Sequence, residues 1–347
     1  SHSFPTRRSS DLDGGNKEVI ISNAKHLVAI DRPFTTIVAG NKSANDDIKA
    51  IFNEAGKDVV ITENVMPQFN KLNIEPARDA IRQLFISRII EAKGLNILQA
   101  MTPYKIIPTP LAVLHACELL SKGTKTQLGR GDLLAVDIGG ATTDVYSMAS
   151  GEPTVDNTML KGLPEPWMKR TVEGDLGMRY SLTHVYEQIP GADNSENEYM
   201  QQVKAWVELC TARPDTLAAP GSEEEKLEEF LGRSAVSMAV ERHCGRIADV
   251  YTPLGLMHTQ EGKDLMNVPS VIGIGGVLRN SRRPEEILKG SLYDFMHPEC
   301  TKPRKPKFYL DQKYIFASMG LLRSINPELA FELLDKETVE IGCNATV

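Results

Sequence analysis

The sequence predicts an α/β protein built as two lobes, and three observations carry that expectation. From residue 13 onward, short β-rich runs alternate with stretches of helical periodicity, the layering signature of α/β proteins. The run Leu133-Leu-Ala-Val-Asp-Ile138 is almost wholly apolar, as a strand buried on both faces requires. Two glycine turns, at Gly139–Gly140 and Gly275–Gly276, each come directly after such a run. A chain of 347 residues with 41% hydrophobic content can fill about two cores.

In chain order, residues 1–12 (SHSFPTRRSSDL) share no periodicity with the rest of the chain and are set aside as a non-native or disordered tail. Residues 13–130 are expected to form the remainder of a first lobe, with short strands around Thr35–Gly40 and Val59–Thr62. Between Glu75 and Ala92, the residues Ala77, Ile81, Leu84, Phe85 and Ile89 fall on one helical face, opposite Arg78, Asp79, Arg82 and Gln83. That stripe is expected to pack into a core. Pro103, Pro108 and Pro110 then break the chain, a helix is expected from Leu111 to Leu120, and Gly123–Gly131 reads as a polar loop.

A second lobe is expected over 131–347, with a returning strand at Val145–Met148 after the first glycine turn. Residues of about 189–233, which include the run Glu223–Glu229, read as a polar peripheral insertion with a solvated helix face. From Ser234 the spacing of Val236, Val240, Cys244, Ile247 and Tyr251 predicts a helix returning to the core.

A net charge of −7 without a dominant basic block argues against nucleic acid or an anionic membrane as partner. The five cysteines are odd in number, far apart and never CxxC, so neither a disulfide framework nor a zinc or iron–sulfur site is indicated, and a reducing cytoplasm fits. No apolar run approaches the roughly 18–20 residues of a membrane-spanning helix.

The chemistry is expected in the glycine turns. A triphosphate needs converging main-chain N–H donors, a backbone approach that a Cβ would obstruct, and a metal to offset its charge. In Asp137-Ile-Gly-Gly-Ala-Thr-Thr-Asp144, Gly139, Gly140 and Ala141 supply the turn, and Thr142 and Thr143 supply hydroxyls. Asp137 could hold a Mg²⁺-bound water or orient an attacking one, and Asp144 could brace the loop or the metal shell. The competing reading is a hairpin whose Asp and Thr residues satisfy local backbone groups. The second turn, Gly273-Ile-Gly-Gly-Val-Leu-Arg-Asn280, could equally be a plain strand-to-helix connector.

The order of these two loops resembles the actin, heat-shock-protein-70 and sugar-kinase superfamily, whose phosphate loop of the D-x-G-G-x-T type is followed a subdomain later by a Gly-Gly turn beneath adenosine. The resemblance implies an actin-like, ribonuclease-H-like ATPase fold binding ATP and Mg²⁺. It places Gly273, Gly275, Gly276, Val277 and Arg279 at the adenosine turn. It also makes the segment 311–322 the second connecting helix, with Ala317 and Gly320 as close-packing points of a hinge, against the alternative of a surface helix with a small-residue patch. Before Asp13 the sequence lacks the first phosphate loop of that superfamily, so the first lobe is expected to be incomplete.

Further motifs narrow the resemblance: Met66-Pro67, Ile74-Glu-Pro-Ala-Arg78, Pro108-Thr-Pro-Leu-Ala-Val113, Lys169-Arg-Thr-Val-Glu-Gly-Asp-Leu-Gly177 and Ala239-Val-Glu-Arg-His-Cys-Gly-Arg246. With both loops, and in this order, they are similar to the MutL-type accessory proteins of glutamate mutase, a family unrelated to the mismatch-repair protein of that name. That implies an ATP-dependent reactivating or chaperone factor whose partners are adenosylcobalamin-dependent mutase subunits. Glu173, Gly174 and Asp175 are expected either to touch nucleotide or metal or to cap a helix start. Glu241, Arg242 and His243 are either adenine contacts or an exposed charge cluster. Two other functions fit the same superfamily: a small-molecule kinase or hydantoinase-like and acetone-carboxylase-like ATPase, and a nucleotide-binding scaffold without turnover.

Overall fold

The computed structural model describes residues 11–343 except 70, 93, 94, 105, 164, 195 and 254, so residues 1–10 of the expected tail lie outside the description. The chain divides into two compact units, Ser1–Pro108 and Thr109–Val347. Among the described residues no helix is long and apolar enough to cross a membrane.

In the first unit, helix α1 (Glu18–Val28) and helix α2 (Asn45–Glu54) pack on two short parallel strands, β1 (Thr36–Val38) and β2 (Val59–Ile61). Ala24, Ala44, Ile48 and Phe52 are its buried centre. Helix α3 (Glu75–Ala92) has the bounds its periodicity predicts, and α4 (Asn96–Ala100) comes next. The expected core stripe of α3 is not buried, however: Ala77 is covered, but Ile81 and Phe85 are 58% and 59% exposed, and the Ile89 side chain lies outside the description. The reason is one of length. An 18-residue helix is roughly 27 Å long, whereas strands of three residues offer a sheet roughly 10 Å deep.

The second unit begins with helix α5 (Thr109–Lys122), ahead of the boundary expected at 130/131. Its centre is a six-stranded sheet. In chain order the strands are β3 (Leu133–Ile138), β4 (Thr143–Met148), β6 (Met168–Glu173), β9 (Ser270–Ile274), β10 (Lys307–Asp311) and β11 (Thr338–Cys343), and in space they run β11-β10-β9-β3-β4-β6. β3 pairs in parallel with β9, and β9 with β10; β4 is antiparallel to both β3 and β6, and β11 is antiparallel to β10. Strands β3, β6, β9 and β10 therefore all point the same way. A separate three-stranded sheet joins β5 (Thr158–Lys161), β8 (Gly255–Glu261) and β7 (Arg246–Thr252) in the order β5-β8-β7.

Alternation along β3 and β4 sorts the core into two halves. Leu134, Val136, Ile138 and Val145 face a larger cluster with helices α6 (Leu182–Glu187), α7 (Glu198–Ala212), α8 (Glu223–His243), α9 (Gly276–Asn280) and α10 (Pro284–Leu288). Leu133, Ala135, Tyr146 and Met148 face α5, α11 (Phe316–Leu322) and α12 (Pro327–Glu337). With helices on both faces, the unit is an α/β layer structure. Residues 189–233 are polar in sequence, yet Met200, Val203, Trp206, Val207, Cys210, Leu227 and Leu231 from this stretch are buried in the larger cluster. Helix α8 runs unbroken through the acidic run but stops at His243, and Ile247 and Tyr251, expected to continue it, lie in β7. Gly245 marks the change, because a Cβ there would sit 2.8 Å from Glu261 O and leave no room for β8. Cys117, Cys210, Cys244 and Cys300 are all free and buried.

Candidate functional site

Because β3, β6, β9 and β10 run in one direction, their carboxyl ends share one edge of the sheet, the edge where open α/β sheets place their ligands. Ile138, Glu173, Ile274 and Asp311 end these strands. The two glycine turns, about 135 residues apart in sequence, leave from adjacent strands, since Asp137 is in register with Ile274. They touch. A Cβ on Gly275 would stand 2.5 Å from Ile138 O and 2.6 Å from Asp137 Oδ1, and its φ of +99° is glycine's territory.

The first turn is closed by Gly139 N–H donating to Thr142 O at 2.9 Å. Its carbonyls point backwards, onto the segment after β6. Met178 N–H donates to Gly139 O at 3.0 Å, and the N–H groups of Arg179 and Tyr180 both donate to Gly140 O at 2.8 Å. Ser181 Oγ lies 3.0 Å from Ala141 O and 2.9 Å from Gly174 O. With the carbonyls so engaged, the N–H groups of Gly140, Ala141 and Thr142 have no intramolecular acceptor among the described residues and face outward on a half-exposed turn.

The two aspartates of the motif are cross-strand partners in different electrostatic settings. Asp144 is held by Arg170 of β6, whose Nε donates to Oδ1 at 2.8 Å, and it accepts from Thr142 Oγ1 at 3.4 Å. The Asp137 carboxylate has no hydrogen bond or ion pair among the described residues. Burial, reinforced by the negative charges of Asp144 and Asp311, raises its pKa to about 6. Asp311, also buried and pushed upward chiefly by burial, accepts from the N–H groups of Ile315 and Phe316 and so caps α11.

Not every residue expected at the site faces it. Thr143 is fully buried and its hydroxyl donates to Leu176 O, because strand alternation sends it to the side opposite Thr142. Glu173 and Asp175 do not start a helix; α6 begins only at Leu182. Both carboxylates are gripped by Arg242 of α8, at 2.7 Å and 2.8 Å, which holds Asp175 down to about 2. At Gly174 between them, a Cβ would meet nothing within 4 Å. Glu241 pairs with Arg246, and His243 is fully buried between Thr171 Oγ1 and Ser147 Oγ. Gly273 lies inside β9, Gly276 and Arg279 are exposed on α9, and Val277 rests half-buried on the larger core. On α11, Gly320 meets α5 so closely that a Cβ would be 1.8 Å from Ala112 O, and Ala317 is half-buried beside it. The pairings made by Arg170, Arg179, Arg242 and Asp311 carry no local signal, since their partners in the fold are many residues away or in the next turn.

A family model described as MutL protein matches residues 10–338 of the chain. The "Protein MutL" of Clostridium tetanomorphum is 45% identical over 332 residues, covering 95% of this chain and 71% of that protein. A match of this extent and identity, on a chain whose two glycine turns share one sheet edge, settles kinship: the chain belongs to the MutL protein family.

Proposed function

We propose that the second unit is a lobe of an actin-like ATPase, and that the full-length protein uses ATP and Mg²⁺ to reactivate or chaperone an adenosylcobalamin-dependent glutamate (methylaspartate) mutase. One observation carries the nucleotide half of the reading: three successive main-chain donors, Gly140, Ala141 and Thr142, have no acceptor among the described residues, on a turn whose carbonyls are tied back. Polyphosphate oxygens require such a cradle. Gly275 supports it, because only a residue without a Cβ lets the second turn lie against Asp137. The partner half rests on membership of the MutL family.

In this reading Gly140–Thr142 receive phosphate oxygens, and Gly275, Gly276 and Val277 border adenosine, with Arg279 beside them. Asp137, ionised above about pH 6, accepts a hydrogen bond from the attacking water and orients it. Bound magnesium would offset phosphate charge. It would be held through water at Asp137, since among the described residues no group of three or more His, Cys, Asp or Glu is placed to hold a metal ion. Glu173 and Asp175, engaged by Arg242, serve the loop's support. Motion of the lobes is the output a reactivating factor needs, and within the second unit the close packing of Gly320 on Ala112 holds α11 against α5.

The test is steady-state ATP hydrolysis by the full-length protein, with and without inactivated mutase holoenzyme. Slow turnover, and a loss of about 100-fold in Asp137→Ala, are expected. Normal hydrolysis by that variant would refute the assignment of Asp137. A phosphorylated small-molecule product would favour a kinase, and binding without turnover a scaffold.

A further inference from the structure

The aim of the free N–H groups depends on where the turn's carbonyls are held, and they are held by residues 174–181. That segment is itself slung from helix α8 at two points. Near one end, Arg242 Nη1 donates to Glu173 Oε2 at 2.7 Å and Asp175 Oδ1 at 2.8 Å, while Nη2 donates to Asp175 Oδ2 at 2.9 Å and Gln188 Oε1 at 2.5 Å. At the other, Arg179 Nη2 donates to Glu228 Oε1 at 2.5 Å and Thr216 O at 3.1 Å, and Nε to Pro214 O at 3.2 Å. Glu228 and Arg242 both belong to α8 and stand roughly 21 Å apart along its axis. Between these anchors Gly177 is pressed against Ala141, where a Cβ would be 2.2 Å from the carbonyl carbon.

We propose that Arg179 and Arg242 are positioning residues: by lashing residues 173–181 to α8 they fix the carbonyls of Gly139, Gly140 and Ala141 and so set the direction of the phosphate-facing N–H groups. Displacing α8 re-aims the cradle without touching it. The inference rests on reading the turn as a phosphate cradle, and its test separates the two.

Hydrogen exchange of this chain without nucleotide reads the lashing directly, through the amides of Met178, Arg179 and Tyr180 that bond the loop carbonyls. In Arg242→Met these exchange about tenfold faster while the buried amides of β9 do not change; Arg242→Lys recovers part of the protection, and Glu228→Gln, a milder cut at the second anchor, gives a smaller rise. In the full-length protein, MgATP binds about tenfold more weakly to Arg242→Met at an unchanged melting temperature. Combining Arg242→Met with Glu173→Gln and Asp175→Asn leaves binding weak, because lost geometry, and not bared charge, is the cause. Unchanged exchange in Arg242→Met, or full rescue of binding by neutralising the two carboxylates, overturns the proposal. Absence of MgATP binding by the unmodified full-length protein would overturn the cradle reading instead, leaving the exchange result to decide whether the lashing holds.

Discussion

Gly275→Ala is the sharpest probe of the contact between the two turns. With φ +99° and ψ 160°, Gly275 occupies a region that costs a residue with a Cβ roughly 1–3 kcal/mol. The new methyl would also be driven to 2.5 Å from Ile138 O and 2.6 Å from Asp137 Oδ1, and overpacking of that kind costs roughly 1–3 kcal/mol. The expected loss is about 2–6 kcal/mol, or a fall in melting temperature of roughly 5–20 °C for a body of this size. The neighbouring Gly276→Ala is the control: its Cβ would meet nothing nearer than Asn280 Nδ2 at 3.9 Å, so stability should stay within about 0.5 kcal/mol. Thermal and urea unfolding followed by circular dichroism measure both. A loss below about 1 kcal/mol for Gly275→Ala, or equal losses for the two variants, would show that the turns do not press on each other as described.

The same geometry sets three further outcomes. The folded-state pKa of Asp137, about 6, exceeds its ordinary value of 3.8, so the folded chain binds more protons between those limits and this group's contribution to stability falls as pH rises through that window. Asp137→Asn should therefore gain stability over wild type at pH 7, by about 1–3 kcal/mol, and the gain should vanish near pH 4 in urea titrations; a constant difference would contradict the shift. Lys263, fully buried with Nζ donating to Trp167 O at 2.6 Å and Pro166 O at 2.9 Å, has its pKa lowered by burial to about 8 from 10.5. Here the unfolded chain binds the extra proton, so wild type should gain stability between pH 8 and 10.5 relative to Lys263→Met, and denaturant midpoints across that range check it. Gly320→Ala, with its methyl 1.8 Å from Ala112 O, should force α11 from α5 at a cost of about 1–3 kcal/mol measured by thermal unfolding.

The parts of this architecture that could be read from sequence are those whose physics is local. A strand covered on both sides must be apolar along its length, so Leu133–Ile138 declares itself, and a turn that needs close backbone approach declares itself by glycine. Helix bounds track periodicity, which is why Glu75–Ala92 matches. What periodicity does not contain is the surface that covers a face, and the exposure of Ile81 and Phe85 comes from that gap. The same limit hid the buried side of α7, whose apolar residues are interleaved with charges, and the end of α8, where a non-local contact with β8 at Gly245 outweighs continued helical spacing. At the site, the free N–H groups belong to residues the motif names, but the carbonyl contacts that free them come from Met178, Arg179, Tyr180 and Ser181, and the arginines behind those come from elements far along the chain. Pairings of that kind exist only once the sheet has formed.

The hidden cysteines have a practical use. Burial drives the thiols of Cys117, Cys210 and Cys300 upward and that of Cys244 to about 12, which leaves them protonated, sheltered and unreactive toward electrophiles while the chain stays folded. With Cys343 changed to serine, a maleimide dye would find a quiet background. A lone cysteine at exposed Ser318 on α11 could then report in real time how that helix responds when nucleotide or a mutase is added.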